Sequence, residues 1–471
     1  MIVLLNPPAY DGATYIRDAY CAGLAKGRYS WPPLDLVMVS GTLAAGSGVR
    51  VVDATAEGLD AAKAARRVAS LRPTAIVSMT SSASAEKDFE FFALLKQAMP
   101  DVALVILGDL AAVRARETLA DAPVLDGAIC NFMDPAIADG FTKDGLVPAR
   151  NLVCRMGGEI AGEGRVTVAA PRIPTPRHDL FPLHRYRTPW ARRRWITTTA
   201  TSDGCPFSCA YCTIGLLKYA ARPVQDVLAE LRAIRAAGAR EVYFQDPLFT
   251  ADRERARALC GEMERAAADL SWCCLVRVGT FDAATLEAMA RAGCHTVQLG
   301  LESASDRVLG RMGKGITVAD TRRDVTACRR AELRVDAIFM LGYPGETESE
   351  MLETVELART LDLHFATFVI VTPSPGVRMV RELAADGVRV DPRRSYDDAE
   401  NILPLTSVSA ERLRALRRLA ERRFYLRAVQ IARMLLGLRT WTEVRWTAAA
   451  GLSFLSGRFR RARRDAGPRA S

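Results

Sequence analysis

Short all-apolar runs alternate along this chain with longer stretches whose apolar residues recur every three to four positions. Met1–Asn6 (MIVLLN), Val49–Asp53 (VRVVD), Ala75–Met79 and Val102–Leu107 read as buried strands, whereas Leu34–Ala45, Asp60–Leu71 and Ala85–Met99 carry the helical period. Pro7 and Pro8 end the first run and Gly108 follows the fourth strand. Strands and helices alternating at this pitch predict parallel βαβ units, hence an α/β fold with a doubly wound parallel sheet over residues 1–145. Ligands of such sheets bind at the carboxyl ends of the strands. Those ends carry Asn6, Pro7, Asp53, Ser78, Thr80 and Gly108.

Residues 146–195 break the alternation. Their prolines and arginines (PRIPTPRHDL, HRYRTPWARRRW) predict an extended, irregular connector, with His178 and His184 as linker side chains able to reach a cleft. The alternation resumes over 196–390, with strands at Trp195–Ala200, Glu241–Phe244, Trp272–Val276, Thr296–Gly300, Val335–Leu341 and Phe365–Thr372 separated by helical stretches. About six β/α repeats predict a partial (β/α)6 barrel whose site lies at the strand carboxyl ends. Over 391–471 the chain turns helix-favouring and Arg-rich, with one amphipathic helix expected over Ala410–Met434.

The bulk numbers change this picture little. The 471 residues are 49% apolar and 25% charged, an ordinary globular composition long enough for two to four domains. No apolar run approaches the ~18 residues that span a bilayer, and the N-terminus lacks signal-peptide features, so a cytoplasmic enzyme is expected. The net charge of +10 suggests a polyanion partner until its source is located: the last fifteen residues, GRFRRARRDAGPRAS, hold six Arg against one Asp. The rest is mildly basic, which argues against nucleic acid. Trp446–Arg464 pairs apolar residues with arginines, a pattern suited to peripheral contact with an anionic membrane surface or an amphiphilic substrate.

The chemistry is carried by Thr201–Gly215, TSDGCPFSCAYCTIG, in which Cys205, Cys209 and Cys212 follow the spacing C-x3-C-x2-C. Thiolates this close converge on a soft metal centre when the backbone loops around it. A [4Fe-4S] cluster held by three cysteines keeps one iron without a protein ligand. A structural zinc site wants a fourth close Cys or His, and buried unligated thiols are the other alternative. The other eight cysteines (Cys21, Cys130, Cys154, Cys260, Cys273, Cys274, Cys294, Cys328) lack ligand spacing and read as small buried residues.

The cysteine spacing, with Tyr211 before the last cysteine and a strand just upstream, resembles the radical S-adenosylmethionine (SAM) superfamily. The resemblance implies that the open iron chelates SAM, that reductive cleavage yields a 5'-deoxyadenosyl radical, and that Tyr211 lies against the adenine. It also implies SAM contacts for Asp246 after the second strand, Arg277, Glu302 in GLESAS, and the glycines Gly342 and Gly345 of GYPGET. NPP, WPP, VDA, SMTSS and LGD in the first 145 residues resemble the cobalamin-binding domain of many such enzymes. The D-x-H-x-x-G histidine is absent: the four histidines, His178, His184, His295 and His364, all lie beyond residue 170. RRFYLR at Arg422–Arg427 resembles the C-terminal segment of the anaerobic Mg-protoporphyrin ester cyclase and of hopanoid-processing enzymes. The expected cofactors are therefore a [4Fe-4S] cluster, SAM and cobalamin. The expected partners are a small-molecule substrate, lipid-like or tetrapyrrole, and an external electron donor of flavodoxin or ferredoxin type. The expected reaction is methylation of an unactivated carbon, with radical cyclisation or rearrangement as the rival and a non-catalytic Fe-S or zinc protein as the remote one.

Overall fold

Ile2–Asn6 is buried at every position, as a strand flanked on both sides must be, and it pairs in parallel with Val49–Asp53 and with Ala75–Met79. The computed structural model describes residues 1–448 apart from 26–28, 189, 267–268, 375, 392–401 and 446. In it the chain is a mixed α/β fold built on two mainly parallel sheets. Across the first, the strands run Glu159–Ala161, Leu152–Met156, Gly127–Ile129, Ala103–Leu107, Ala75–Met79, Ile2–Asn6, Val49–Asp53. The first two strands of that order pair antiparallel, and they lie in the stretch read from sequence as connector. Strand order reverses beside Ile2–Asn6, the crevice where such sheets take ligands.

The second sheet contains Ile196–Thr199, Glu241–Phe244, Ser271–Val276, Cys294–Glu302, Arg334–Leu341 and Phe365–Ile370 in chain order, all parallel. On one face Val242, Phe244, Trp272, Val297, Leu299 and Phe339 are fully buried in the main core. On the other, Leu275, Gly300, Ile338, Met340, Thr367 and Val369 stay partly exposed. The sheet therefore has a helix-covered outside and a solvent-reachable inside.

Leu34–Gly46 joins the two sheets. Its ten residues from Leu34 to Leu43 are all buried, Asp35, Ser40 and Thr42 among them, as in a mostly apolar helix enclosed on every side. It packs on Ile2–Asn6 and on Ile196–Thr199, so one continuous core runs through both halves. A Cβ on Gly41 would sit 2.4 Å from the carbonyl oxygens of Pro174 and Thr175, so only glycine lets the connector cross this helix. The connector is itself pinned. His178 bonds Thr197 Oγ1 at 2.7 Å and Glu230 Oε1 at 3.0 Å, and Arg222 pairs with the same buried carboxylate at 2.6 Å.

A hairpin not anticipated from sequence, Tyr15–Asp18 with Cys21–Leu24, folds over the strand ends of the first sheet. It is held by Arg17, which donates through Nη2 and Nε to Asp88 at 2.9 and 3.0 Å with both side chains fully buried. Cys21 lies exposed beside its turn, a correction to the buried reading, since this two-stranded ribbon pairs with no third described strand that would cover it. The single helix expected over Ala410–Met434 is two, Ala410–Tyr425 and Ala428–Leu436; Arg427 is extended at the break, and its guanidinium donates to Phe424 O and Arg359 O. No described helix is long and apolar enough to cross a membrane. The tail segment Trp446–Arg464 lies almost wholly outside the described residues.

Burial pushes the Glu230 carboxyl up, but Arg222, His178 and Thr199 outweigh it and hold it at about 2, against an ordinary value of 4.5. A depressed carboxylate contributes stability above the unfolded value and loses it as pH falls toward the folded one, here on the order of 3 kcal/mol. The stability gap between the protein and Glu230→Gln should be constant above about pH 4.5 and close between 4.5 and 2, measured by urea denaturation across that range.

Candidate functional site

The cysteine loop leaves the second sheet at Thr199 and is fixed before its first thiol. The Asp246 carboxylate accepts from Thr201 N at 3.0 Å, Thr201 Oγ1 at 2.7 Å and Ser202 Oγ at 2.6 Å. Ser202–Asp203 then pairs antiparallel with Ala220–Ala221. Asp203 is buried and accepts from Tyr20 Oη at 2.5 Å, from Asn131 Nδ2 at 3.2 Å and from Arg165. These three partners belong to the first half of the chain, so both halves fix the approach to Cys205. At Gly204, with φ of +65°, a Cβ would lie 2.2 Å from Lys218 O, which only glycine avoids. Ala210 N donates to Met312 O and accepts Met379 N on its carbonyl, both at 2.8 Å, tying the loop to the far side of the site.

Cys205, Cys209 and Cys212 are free and half-buried on this loop. Burial pushes the Cys205 thiol up, opposed in part by Arg277 and Lys314, and lifts Cys212 to about 11. Each of these two thiols feels the charge of Cys209, so the three are neighbours. Arg277 Nη1 lies 3.5 Å from Cys209 Sγ, with its guanidinium 4.2 Å from the Phe207 ring centroid, placing a fixed cation against the thiols. Among the described residues no three His, Cys, Asp or Glu side chains converge on one metal ion. A multi-iron cluster, whose corners each take a separate thiolate, fits a half-exposed thiol trio backed by cations better than a single zinc ion.

Beside the loop, Tyr211 Oη donates to Glu302 Oε1 at 2.9 Å, and Lys314 Nζ donates to Tyr211 Oη at 3.3 Å and to the same carboxylate oxygen. Glu302 sits at a register shift in its strand with φ of +64°, a backbone region costly for a side-chain-bearing residue, which turns it toward the loop. Its second oxygen, Oε2, is buried without a partner. Lys314, in RMGKG, was not singled out from sequence; a lysine between two glycines twelve residues after a conspicuous glutamate is its only signal. Gly342 and Gly345 have φ of +85° and +73°, and a Cβ would meet Leu413 at 3.1 Å and Arg311 at 2.0 Å respectively. Glu346 accepts from Gly342 N at 2.7 Å and Tyr343 N at 3.1 Å, and burial raises its carboxyl to about 7.

At the strand ends of the first sheet, Asn6 and Asp53 bond each other, and Pro7, Asp53 and Thr80 are bonded by other protein groups. Asn6 Nδ2 donates to Asp53 Oδ1 at 2.9 Å, Tyr186 Oη to Asp53 Oδ2 at 2.9 Å, and Thr80 Oγ1 to Asp88 Oδ2 at 3.1 Å. The Pro7 carbonyl accepts from Thr55 Oγ1 at 2.6 Å, and Ser78 is fully buried in its strand. Gly108, at φ of +122°, would place a Cβ 2.0 Å from Thr80 O. Beyond it, a cavity of about 770 Å³ is bounded by Ala111, Ala112 and Ala115 of the Asp109–Asp121 helix, by Arg165–Thr167, and by Leu216–Ala220 after the cysteine loop.

On the inner face of the second sheet, Tyr243 Oη donates to Gln298 Oε1 at 2.6 Å and Gln298 Nε2 to Asp336 Oδ2 at 2.9 Å. Asp336 is 3% exposed, its Oδ1 has no partner, and burial raises its carboxyl to about 6. The partly exposed apolar side chains Leu275, Ile338, Met340 and Val369 share this face. Sequence reading did not reach Asp336, since an acid inside a strand announces nothing without its neighbours.

Comparison with known proteins agrees with this geometry. Residues 199–358 match the family model of the Radical SAM superfamily. The chain is 29% identical, over 84% of its length and 88% of the relative's, to an uncharacterized methyltransferase of Pyrococcus horikoshii. It is 24% identical to the anaerobic magnesium-protoporphyrin IX monomethyl ester cyclase of Rubrivivax gelatinosus, over 81% of this chain and 72% of that one. Its fold is that of the methyltransferase TsrM from Kitasatospora setae, solved with cobalamin and a [4Fe-4S] cluster (TM-score 0.62, 18% identity, 83% of this chain, 76% of that one). It is also that of the cobalamin-dependent enzyme OxsB (TM-score 0.66, 14% identity, 84% and 63%).

Replacing Lys314 by Met leaves Glu302 buried without its cation, which should destabilise the protein by about 3–5 kcal/mol. Adding Glu302→Gln should recover much of that loss. Chemical denaturation of the two single variants and the double variant checks the coupling, and additive losses would sink it.

Proposed function

From the premise that this chain is an enzyme with a radical SAM domain at residues 199–358, we propose that it methylates an unactivated carbon of a small molecule with the help of cobalamin. Three half-exposed thiols on one pinned loop, inside the matched segment, carry this proposal. When bound, the cluster and SAM supply a 5'-deoxyadenosyl radical for hydrogen abstraction, and cobalamin supplies the methyl group.

Cys205, Cys209 and Cys212 would hold the cluster, with Arg277 offsetting its negative charge. Tyr211, set by its bond to Glu302, offers a ring to the adenine, while the unpartnered Glu302 Oε2 accepts from the SAM ammonium or a ribose hydroxyl. Gly342 and Gly345 shape the wall beside them. Asp246, whose hydrogen bonds run to Thr201 and Ser202, acts as a positioning residue that aims the loop. The 770 Å³ cavity, with the short side chains of Ala111, Ala112 and Ala115 on one wall, would take part of a corrin, and Asn6, Pro7, Asp53, Ser78, Thr80 and Gly108 would shape the strand ends of the same sheet. Histidine would not ligate its lower face, because no histidine lines the cavity and His178 is occupied by Thr197 and Glu230. The substrate would lie along the inner face of the second sheet, its apolar body on Leu275, Ile338 and Met340 and a donor group on Asp336 Oδ1. The two halves, 1–145 with its connector to 195 and 196–390 as a partial barrel, would close on this chamber, and 391–471 would buttress it.

The identity to the protoporphyrin ester cyclase favours a second reading, radical cyclisation without methyl transfer. Anaerobically reconstituted protein with SAM, cobalamin and dithionite should form both 5'-deoxyadenosine and S-adenosylhomocysteine, and retain corrin absorption after gel filtration. Deoxyadenosine alone would favour the cyclase reading; formation of neither product would sink both. Replacing the three cysteines by Ala should abolish iron retention and SAM cleavage while circular dichroism stays native.

A further inference from the structure

The Ala428–Leu436 helix is mounted with its polarity reversed. Its buried side is polar: Gln430 Nε2 donates to His364 O at 2.9 Å, and Arg433 donates to Leu363 O at 3.1 Å and pairs with Asp362 at 3.0 Å. Just beyond it, buried Glu443 accepts from Arg334 at 2.7 Å and anchors the chain to the second sheet. The outward side is apolar. Of the ten large apolar side chains exposed among the described residues, six lie here: Leu426, Val429, Ile431, Leu435, Leu436 and Trp441. Leu436 and Trp441 are each 79% exposed. Scattered exposed apolar residues need no explanation, but a contiguous set on a helix held by its polar face marks a contact surface.

The charge distribution names the partner. Residues 422–471 hold twelve arginines against Glu443 and Asp465, a formal +10 that equals the total for the chain, so the first 421 residues are formally neutral. Arg422, Arg423, Arg439 and Arg445, before and after this helix in the chain, are exposed. An apolar helix face flanked in sequence by exposed arginines, with a basic tail following, supplies the two signals that stable binding to an anionic bilayer requires. Nucleic acid would take the arginines but has no use for Leu435, Leu436 and Trp441 as a set.

We propose that this C-terminal helix lies on the surface of an anionic phospholipid bilayer, with Val429, Leu435, Leu436 and Trp441 in the headgroup boundary and the arginines on the phosphates. The surface is independent of the radical chemistry. It would present the enzyme to an amphiphilic substrate at the membrane.

The full-length protein should co-sediment with vesicles of phosphatidylcholine mixed with phosphatidylglycerol and not with phosphatidylcholine alone. Leu435→Glu/Leu436→Glu should weaken binding by about tenfold or more, while circular dichroism and cofactor loading stay unchanged. Equal binding to both vesicle types, unaltered binding by the variant, or a dimer in solution that the variant dissolves would overturn the proposal. So would retention of transfer RNA without retention of anionic vesicles.

Discussion

A buried carboxylate two residues ahead of the first cysteine of the loop binds the molecule together. Asp203 stands at the start of the cysteine loop, yet its hydrogen bonds come from Tyr20, Asn131 and Arg165, none of them in the second half. A carboxylate taken out of water must be matched by donors or it destabilises the fold. Here the donors are available only when the hairpin, the end of the first sheet and the connector are all in place. The loop geometry is therefore conditional on the assembly of the first half. The buried helix Leu34–Gly46 couples that assembly to the second sheet, because it packs on Ile2–Asn6 and on Ile196–Thr199 within one core.

The same economy of buried charge organises the site. Glu302 occupies a strained backbone position, and a strained residue persists only where its surroundings over-determine it. Lys314 and Tyr211 do so from two separate segments, meeting on one oxygen and leaving the other bare. Asp246 is treated in the opposite way: one of its oxygens alone takes a backbone amide and two hydroxyls from the loop. Two acids at the ends of strands two places apart in the second sheet thus differ in kind. One holds structure through several donors; the other keeps an open acceptor.

What could be read from sequence follows from how local the information was. The cysteine loop and the strand–helix alternation were readable because spacing and period lie within a few residues of each other. The SAM superfamily match at 199–358 and the parallel strand order of the second sheet agree with that reading. The partners of Asp203 and Glu302 were not readable, since they come from residues 38, 72 and 183 positions away in one case and include an inconspicuous lysine in the other. Gly108 shows the limit in another way. A glycine after a strand suggests a ligand drawing close, but the crowding atoms here are Thr80 O and Arg17 O, so its bare Cα serves the hairpin first. The antiparallel strands Leu152–Met156 and Glu159–Ala161 escaped notice because prolines and arginines just downstream coloured the whole segment as connector.

The two ends of the second sheet divide its labour. At the carboxyl end stand the thiols, the Glu302 triad and the glycine turns. Toward the amino end, His295 bonds Glu241 at 2.6 Å and Arg334 pairs with Glu443 at 2.7 Å, a fully buried ionic plug. Asp336 lies between them, two residues along the strand from Arg334, but it receives only Gln298. An acid this deep beside a saturated ionic plug would be expected to share the plug's donors. Instead it turns an unmatched oxygen toward the partly exposed inner face, whose other members are apolar. Asp336 and Glu302, with Asp18 and Glu346, are thus buried acids that each keep an oxygen without a partner, whereas Asp203 and Asp246 are held by several donors; open acceptors on the inner face and at the strand ends are what a ligand's donor groups would answer.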